Sequence, residues 1–213
     1  MRILALTDKV ANRVYSPNIR RRYAEVDLVV GCGDLPYYYL EFVATALTAP
    51  VAYVYGNHDD TQYTADGRTL QAAEGCLLID GRVARVNGLL LAGLGGSRRY
   101  RPRGKNQYTE FEMATRILRL LPGLLVNRIL HGRYLDVLVT HAPPLGIHDG
   151  SDLPHTGFRV FRAFMRLFKP RYLIHGHMHL YRLDTTFRTR YRQTDVINAY
   201  PVRIVEWEEG THA

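Results

Sequence analysis

The sequence predicts a mixed α/β fold with two β-sheets between helical layers. Short apolar runs alternate with amphipathic, helix-like stretches through the first half, which is the pattern of βαβ units. An Asn87-Gly88 pair sits between two apolar runs and marks a hairpin in the middle of the chain. Closely spaced strand-like runs then close the chain, and they favour antiparallel pairing there.

The elements follow in order. Residues 2–7 read as a first strand, ended by Asp8. Ser16-Pro17 has the look of an N-cap followed by proline at the first helical position, opening a short helix through Ile19 to Ala24. Residues 26–31 form a second strand, ended by Gly33-Asp34, and Pro36 opens a helix over residues 37–47. The run 51–55 is a third strand, followed at once by Gly56-Asn57-His58-Asp59. The hairpin pairs 83–86 with 89–94. Thr109 and Glu112 fit a capping box before an amphipathic run to about Leu121. Residues 135–139 are a strand ended by Thr140-His141. Phe158 to Phe168 is an amphipathic helix halted by Pro170, and 171–175 a strand ended by Gly176-His177-Met178-His179. Strands around 181–187, 194–198 and 202–207 complete the chain, with Arg188–Arg192 as a charged turn or edge among them.

Composition narrows the functional classes. A chain of 213 residues, 46% of them hydrophobic, suits one domain over 1–213 with a full core. No apolar run reaches the roughly 18–20 residues of a membrane span. The opening run is too short for a secretory signal and Asp8 interrupts it, so a cytoplasmic location is expected. Cys32 and Cys76 make no metal-site spacing and no disulfide framework. The net charge is +8, and 25 of the 28 basic residues are Arg, the side chain suited to bidentate phosphate contacts. A solvated basic surface accounts for the clusters at 20–22 and 188–192. The cluster Arg98-Arg99-Tyr100-Arg101-Pro102-Arg103 is better placed for function, because it follows a strand end.

Five strand ends deliver Asp, Asn or His, and strand C-termini are where α/β folds build their sites. Taken singly, a Gly-Asp is an ordinary turn and a lone His an ordinary core or surface residue. The ordered set Asp8, Gly33-Asp34, Gly56-Asn57-His58-Asp59, Thr140-His141, Gly176-His177-Met178-His179 is a different matter. Carboxylates and imidazoles are ligands for hard and borderline divalent ions, and paired ions can clamp a phosphoryl group.

On these motifs the chain resembles the calcineurin-like metallophosphoesterases from Met1 to about Asn198. The resemblance implies a four-layer αββα sandwich of two mixed β-sheets with a two-metal site. It implies that Asp34 bridges the ions, that Asn57, His141 and His177 complete one ligand set, and that Asp8 and His179 serve the other. His58 would stabilise or protonate the leaving oxygen, with Asp59 orienting it. There is one departure. The family's first motif is normally Asp-x-His, and Val10 stands where that His is expected, although Asn12 keeps register. Three accounts follow: weak binding through Asp8, Asp34, His179 and water; a single metal with Lys9 adding charge nearby; or substitution by His175, which reads better as a core histidine. The ligand types favour Mn, Fe or Zn over Mg.

Asn12, Gly96, Ser97, Arg98 and His148 are candidate substrate contacts. The glycine amides and Arg98 suit an anionic group, and His148 lies on a loop after His141 that reads as a lid, with Asp149, Asp152 and His155. Asp152 and Thr156 could instead cap the helix at Phe158. The expected activity is hydrolysis of a phosphate ester, a diester favoured, with a phosphorylated small molecule as partner. The alternatives are a nuclease on the same fold, which the basic charge allows, and a non-catalytic scaffold, which the loss of a ligand at Val10 suggests.

Overall fold

The computed structural model describes residues 1–63, 67, 69–180 and 186–207. In chain order these form β1 (Arg2–Leu6), α1 (Ile19–Arg22), β2 (Leu28–Gly31), α2 (Tyr37–Ala46), β3 (Val51–Tyr53), β4 (Gln62–Tyr63), β5 (Thr69–Leu70), β6 (Leu77–Leu78), β7 (Val83–Val86), β8 (Leu89–Leu94), β9 (Ser97–Arg98) and β10 (Gln107–Tyr108). There follow α3 (Glu110–His131), β11 (Val137–Thr140), α4 (Arg159–Phe168), β12 (Tyr172–His175), β13 (Arg188–Tyr191), β14 (Thr194–Asn198) and β15 (Val202–Glu206). One sheet has the order β15-β1-β2-β3-β6 and the other β13-β14-β12-β11-β8-β7. Two short pairs, β4 with β5 and β9 with β10, stand outside them.

Residue alternation along the strands builds the layers, because successive side chains leave a strand on opposite faces. On β1, Ile3 and Ala5 join the core between the sheets, while Leu4 and Leu6 join the core beneath α1 and α2. On β8, Leu89 and Leu91 face the first sheet, while Leu90, Ala92 and Leu94 face α3 and α4. β11 divides the same way, with Val137 and Val139 inward and Leu138 outward. Three cores stacked in this order require four layers, helices outside and sheets inside. The inner strands are apolar on both faces, which is why they read as unbroken hydrophobic runs.

Local signals and tertiary packing divide the remaining decisions. The hairpin β7–β8 turns at Asn87 and Gly88, both with positive φ (46° and 82°), as a two-residue hairpin turn demands. The capping box at Thr109 and Glu112 is formed. The helix it opens runs to His131, well past Leu121, and carries Pro122 inside it. One lost N–H bond is outweighed because Leu120 and Leu124, on either side of the proline, are both buried. Ser16 accepts from the Asn18 amide rather than capping a helix, and α1 is confined to Ile19–Arg22. The expected strand at 181–187 has residues 181–185 outside the described region, and the charged segment Arg188–Tyr191 is itself the edge strand β13. The closing strands are not all antiparallel. β14 runs parallel to β12, and β15 crosses to the first sheet to pair antiparallel with β1.

Candidate metal centre and adjoining cleft

The parallel strands β1, β2 and β3 point their C-terminal ends toward one edge, as do β11 and β12 in the facing sheet. Asp8, Asp34 and Asn57 come from the first sheet; His141, His177 and His179 come from the second. Asp8, Asp34 and His177 all have left-handed backbones, with φ of 59°, 54° and 65°. Such conformations in non-glycine residues are uncommon and gather where a site over-determines them. Close approach of the two sheets is also built in. A Cβ on Gly176 would overlap the Thr7 hydroxyl and crowd Asp8 Oδ2, so only glycine lets β12 end against β1.

Hydrogen bonds fix which atoms face the centre. His141 Nδ1 donates to the Cys32 carbonyl at 2.7 Å, so its proton lies there and Nε2 keeps a bare lone pair. His177 Nε2 donates to the Pro154 carbonyl at 2.8 Å, which leaves Nδ1 bare. These two bare nitrogens lie 3.1 Å apart. Asn57 Oδ1 is 3.0 Å and Asp34 Oδ2 3.3 Å from the same His141 Nε2. Asp34, His141 and His177 thus bring one ligand atom each within 4.8 Å of the others. With both rings neutral, four acceptors converge with no proton to share, and either a divalent cation or a second proton on His141 Nε2 supplies the missing positive charge.

The titration of the centre reflects the same demand for positive charge. Burial drives His141 toward its neutral form, but Asp34, Asp8 and the Cys32 carbonyl outweigh it and raise its pKa to about 10. His177 is pushed down to about 4, by burial first and then by the neighbouring His141 charge. Burial opposes ionisation of Asp34, yet His141 and the His58 amide hold its pKa down at about 2.

A second group lies beside the first. His179 Nε2 is 3.4 Å from Asp8 Oδ1, and its exposed ring stacks on Tyr200 with centroids 4.4 Å apart. Asp8 Oδ2 is held by the Thr7 hydroxyl at 2.5 Å and the His177 amide at 2.9 Å, which aims Oδ1 outward. Val10 packs against the core beneath α1 and α2. His175 is fully buried and bonds the Gly176 carbonyl and His148, so it is a core histidine.

A cleft of about 430 Å³ opens over this centre, lined by Asp8, Asp34, His58, Asp59, His177, His179 and also by Gln62 and His155. The His58 amide donates to Asp34 Oδ1 at 2.8 Å, while its side chain is exposed to the cleft. Asp59 departs from the expected role of orienting His58. Its Oδ2 accepts the amides of Gly56 (2.7 Å) and Asp34 (3.0 Å), tying two strand-end turns together. Burial raises its pKa to about 6.

The other candidate contacts lie elsewhere. Asn12 is exposed and does not line the cleft. The Gly95 and Gly96 amides are taken by Asp80 Oδ1 and the Tyr55 carbonyl, and Ser97 is buried with its hydroxyl on the Arg98 carbonyl. Arg98 pairs with Glu110 and lies over the Phe158 ring. His148 is hydrogen-bonded between His175 (3.0 Å) and Thr189 (2.8 Å). Asp149 staples its own loop, accepting the Gly146 and Gly157 amides, and neither Asp152 nor Thr156 caps α4. Of the expected lid residues, His155 is the one that lines the cleft. It pairs with Asp152 at 2.6 Å and lies against His177, and its i,i+3 spacing from Asp152 is the local signal that sets it apart. Gln62 is a cleft residue that the sequence does not mark, since a lone glutamine carries no pattern.

Comparison with known proteins agrees with this architecture. The profile described as calcineurin-like phosphoesterase matches residues 1–181. No curated protein sequence matches the chain. One solved structure superposes with a TM-score of 0.63 at 15% identity, covering 93% of this chain and 90% of the other. The structure of TT1561 from Thermus thermophilus superposes with a TM-score of 0.58 at 13% identity, covering 93% and 88%. At these identities the likeness is one of fold.

Proposed function

The chain belongs to the calcineurin-like phosphoesterase family, and on that footing we propose that it hydrolyses a phosphodiester with one or two divalent ions held at the convergent strand ends. The observation that carries this is the convergence of His141 Nε2, His177 Nδ1, Asn57 Oδ1 and Asp34 Oδ2, four acceptors once both rings are neutral, on one point that calls for positive charge. Asp34, Asn57, His141 and His177 would hold one ion. Asp8, Asp34 and His179 would hold a second, more weakly, because Val10 offers no ligand atom. The imidazole-rich set favours Mn, Fe or Zn. When bound, such ions supply positive charge to the phosphoryl oxygens and lower the pKa of a nearby water.

The protein's own groups do the rest. Thr7 and the His177 amide fix Asp8, and Asp59 fixes the turns that carry Asp34 and Asn57. Water oxygen bonds to phosphorus in line, the ester P–O bond breaks, and His58 delivers a proton to the departing alcohol. A diester is favoured on the compactness of the chain, and a second cleft that shares His58 and Asp59 with the first has room for the departing alcohol.

The test is hydrolysis of bis(p-nitrophenyl) phosphate with added Mn²⁺, before and after chelation, in wild type and His58→Ala. Loss on chelation and a drop of about 10²-fold in the variant are expected. Turnover that survives both treatments would sink the proposal.

A further inference from the structure

We propose that the cleft beside His58 is a subsite for a second phosphate, so that the leaving alcohol of the true substrate itself carries a phosphate group. This rests on the phosphodiesterase reading above.

The cleft, about 420 Å³, is lined by Asn57, His58, Asp59, Asp60, Tyr100, Arg101, Arg103, Gly104, Lys105 and Gln107. His58 and Asp59 line it together with the cleft over the metal centre, so the two spaces meet at the group that would protonate the leaving oxygen. A leaving group that passes His58 on that side meets Arg101, Arg103 and Lys105.

The basic cluster is divided by partnership. Arg98 pairs with Glu110 and Arg99 with Glu112, at the first turn of α3. Lys105 pairs with Asp60. Arg101 and Arg103 are exposed in the cleft and have no acidic partner among the described residues. Arg101 lies over the Tyr100 ring at 5.4 Å, which orients its guanidinium while leaving its donors open.

The loop that carries them is anchored to the metal centre. Buried Gln107 accepts from the Tyr100 and Arg101 amides through Oε1, at 3.2 and 3.1 Å. Asn106 Nδ2 donates to the Gly56 and Asp59 carbonyls, and Tyr100 Oη accepts from Asn57 Nδ2 at 3.3 Å. Two guanidiniums without carboxylate partners among the described residues, on a loop tied to the turn at residues 56–59, suit a compact dianion such as a phosphate monoester. A neutral leaving group would leave that charge unused. Hydrolysis then yields two phosphate monoesters, one retained at the centre and one at the arginines.

The test is calorimetric binding of propane-1,3-diol phosphate and bisphosphate, and of the corresponding hexane-1,6-diol pair, to the Mn²⁺-supplemented protein. Wild type should bind at least one bisphosphate about tenfold or more tighter than its monophosphate. Arg101→Ala/Arg103→Ala should bring that ratio close to one. Arg21→Ala/Arg22→Ala removes the same charge from a different cleft, shared with Arg2, and should keep the ratio. No bisphosphate preference in wild type, a preference that survives in the Arg101/Arg103 variant, or equal loss in both variants would overturn the proposal. If the preference holds but bis(p-nitrophenyl) phosphate is not hydrolysed, the reaction assignment fails and the subsite stands.

Discussion

His141 shows how much chemistry one tautomer decides. A backbone carbonyl takes its Nδ1 proton, so the neutral ring points a bare Nε2 at Asp34, Asn57 and His177. Losing a group that merely orients a ligand typically costs 10–100-fold in metal affinity. His141→Ala, which removes the ligand itself, should weaken Mn²⁺ binding by at least about 100-fold in calorimetry; affinity within a few-fold of wild type would exclude His141 as a ligand. A second residue gives a pH prediction far from the centre. Burial favours the neutral form of Asp195, but hydrogen bonds from Arg188 and Arg190 outweigh it and lower its pKa below the ordinary 3.8. A carboxylate depressed in the fold stabilises above its unfolded pKa, and that stability is lost as pH falls through the folded value. Asp195→Asn should therefore lower Tm at pH 7, with the gap closing below about pH 4. A gap independent of pH would mean the arginines are not its source. At this scale the sequence showed the ligand types, because their order along the chain is distinctive. It did not show that Arg98 is spent on Glu110 while Arg101 and Arg103 stay open, since only the position of α3 decides that.

Elements place these residues through their ends. Gly176 lets the end of β12 touch the end of β1, so Gly176→Ala should push on Thr7 and Asp8. The expected outcome is a larger loss in metal affinity than in thermal stability; an unaltered affinity would show that the contact relaxes without moving Asp8. The capping box of α3 is a purely stabilising device. Thr109→Ala should cost about 1 kcal/mol in chemical denaturation, and a change near zero would mean water replaces the cap. The starts of α2 and α3 and the hairpin were legible because their signals are local: Pro36, Thr109 with Glu112, Asn87-Gly88. The end of α3 was not, because Pro122 is overruled by the burial of Leu120 and Leu124 in a core assembled from distant strands. Nor was the pairing of β15 with β1, which joins residues some 200 positions apart.

At the scale of the molecule, the centre sits across both sheets, with Asp8, Asp34 and Asn57 from one and His141, His177 and His179 from the other. The layered plan was legible in the unbroken apolar runs, because strands buried on both faces have no polar face to show. The cleft itself was not legible, because it forms from loops whose approach depends on the packing of all four layers. A cation bound across the sheets stabilises only the folded state, by RT ln(1 + [L]/Kd), about 2.7 kcal/mol at a hundred times Kd. The most direct measurement follows bound Mn²⁺ and turnover of bis(p-nitrophenyl) phosphate in one titration of the apo-protein, in wild type and Asp34→Asn. Turnover should rise in step with occupancy in wild type, and both should fall in the variant. Turnover without bound metal, or metal bound at full occupancy by Asp34→Asn with activity intact, would contradict a reaction built on these strand ends.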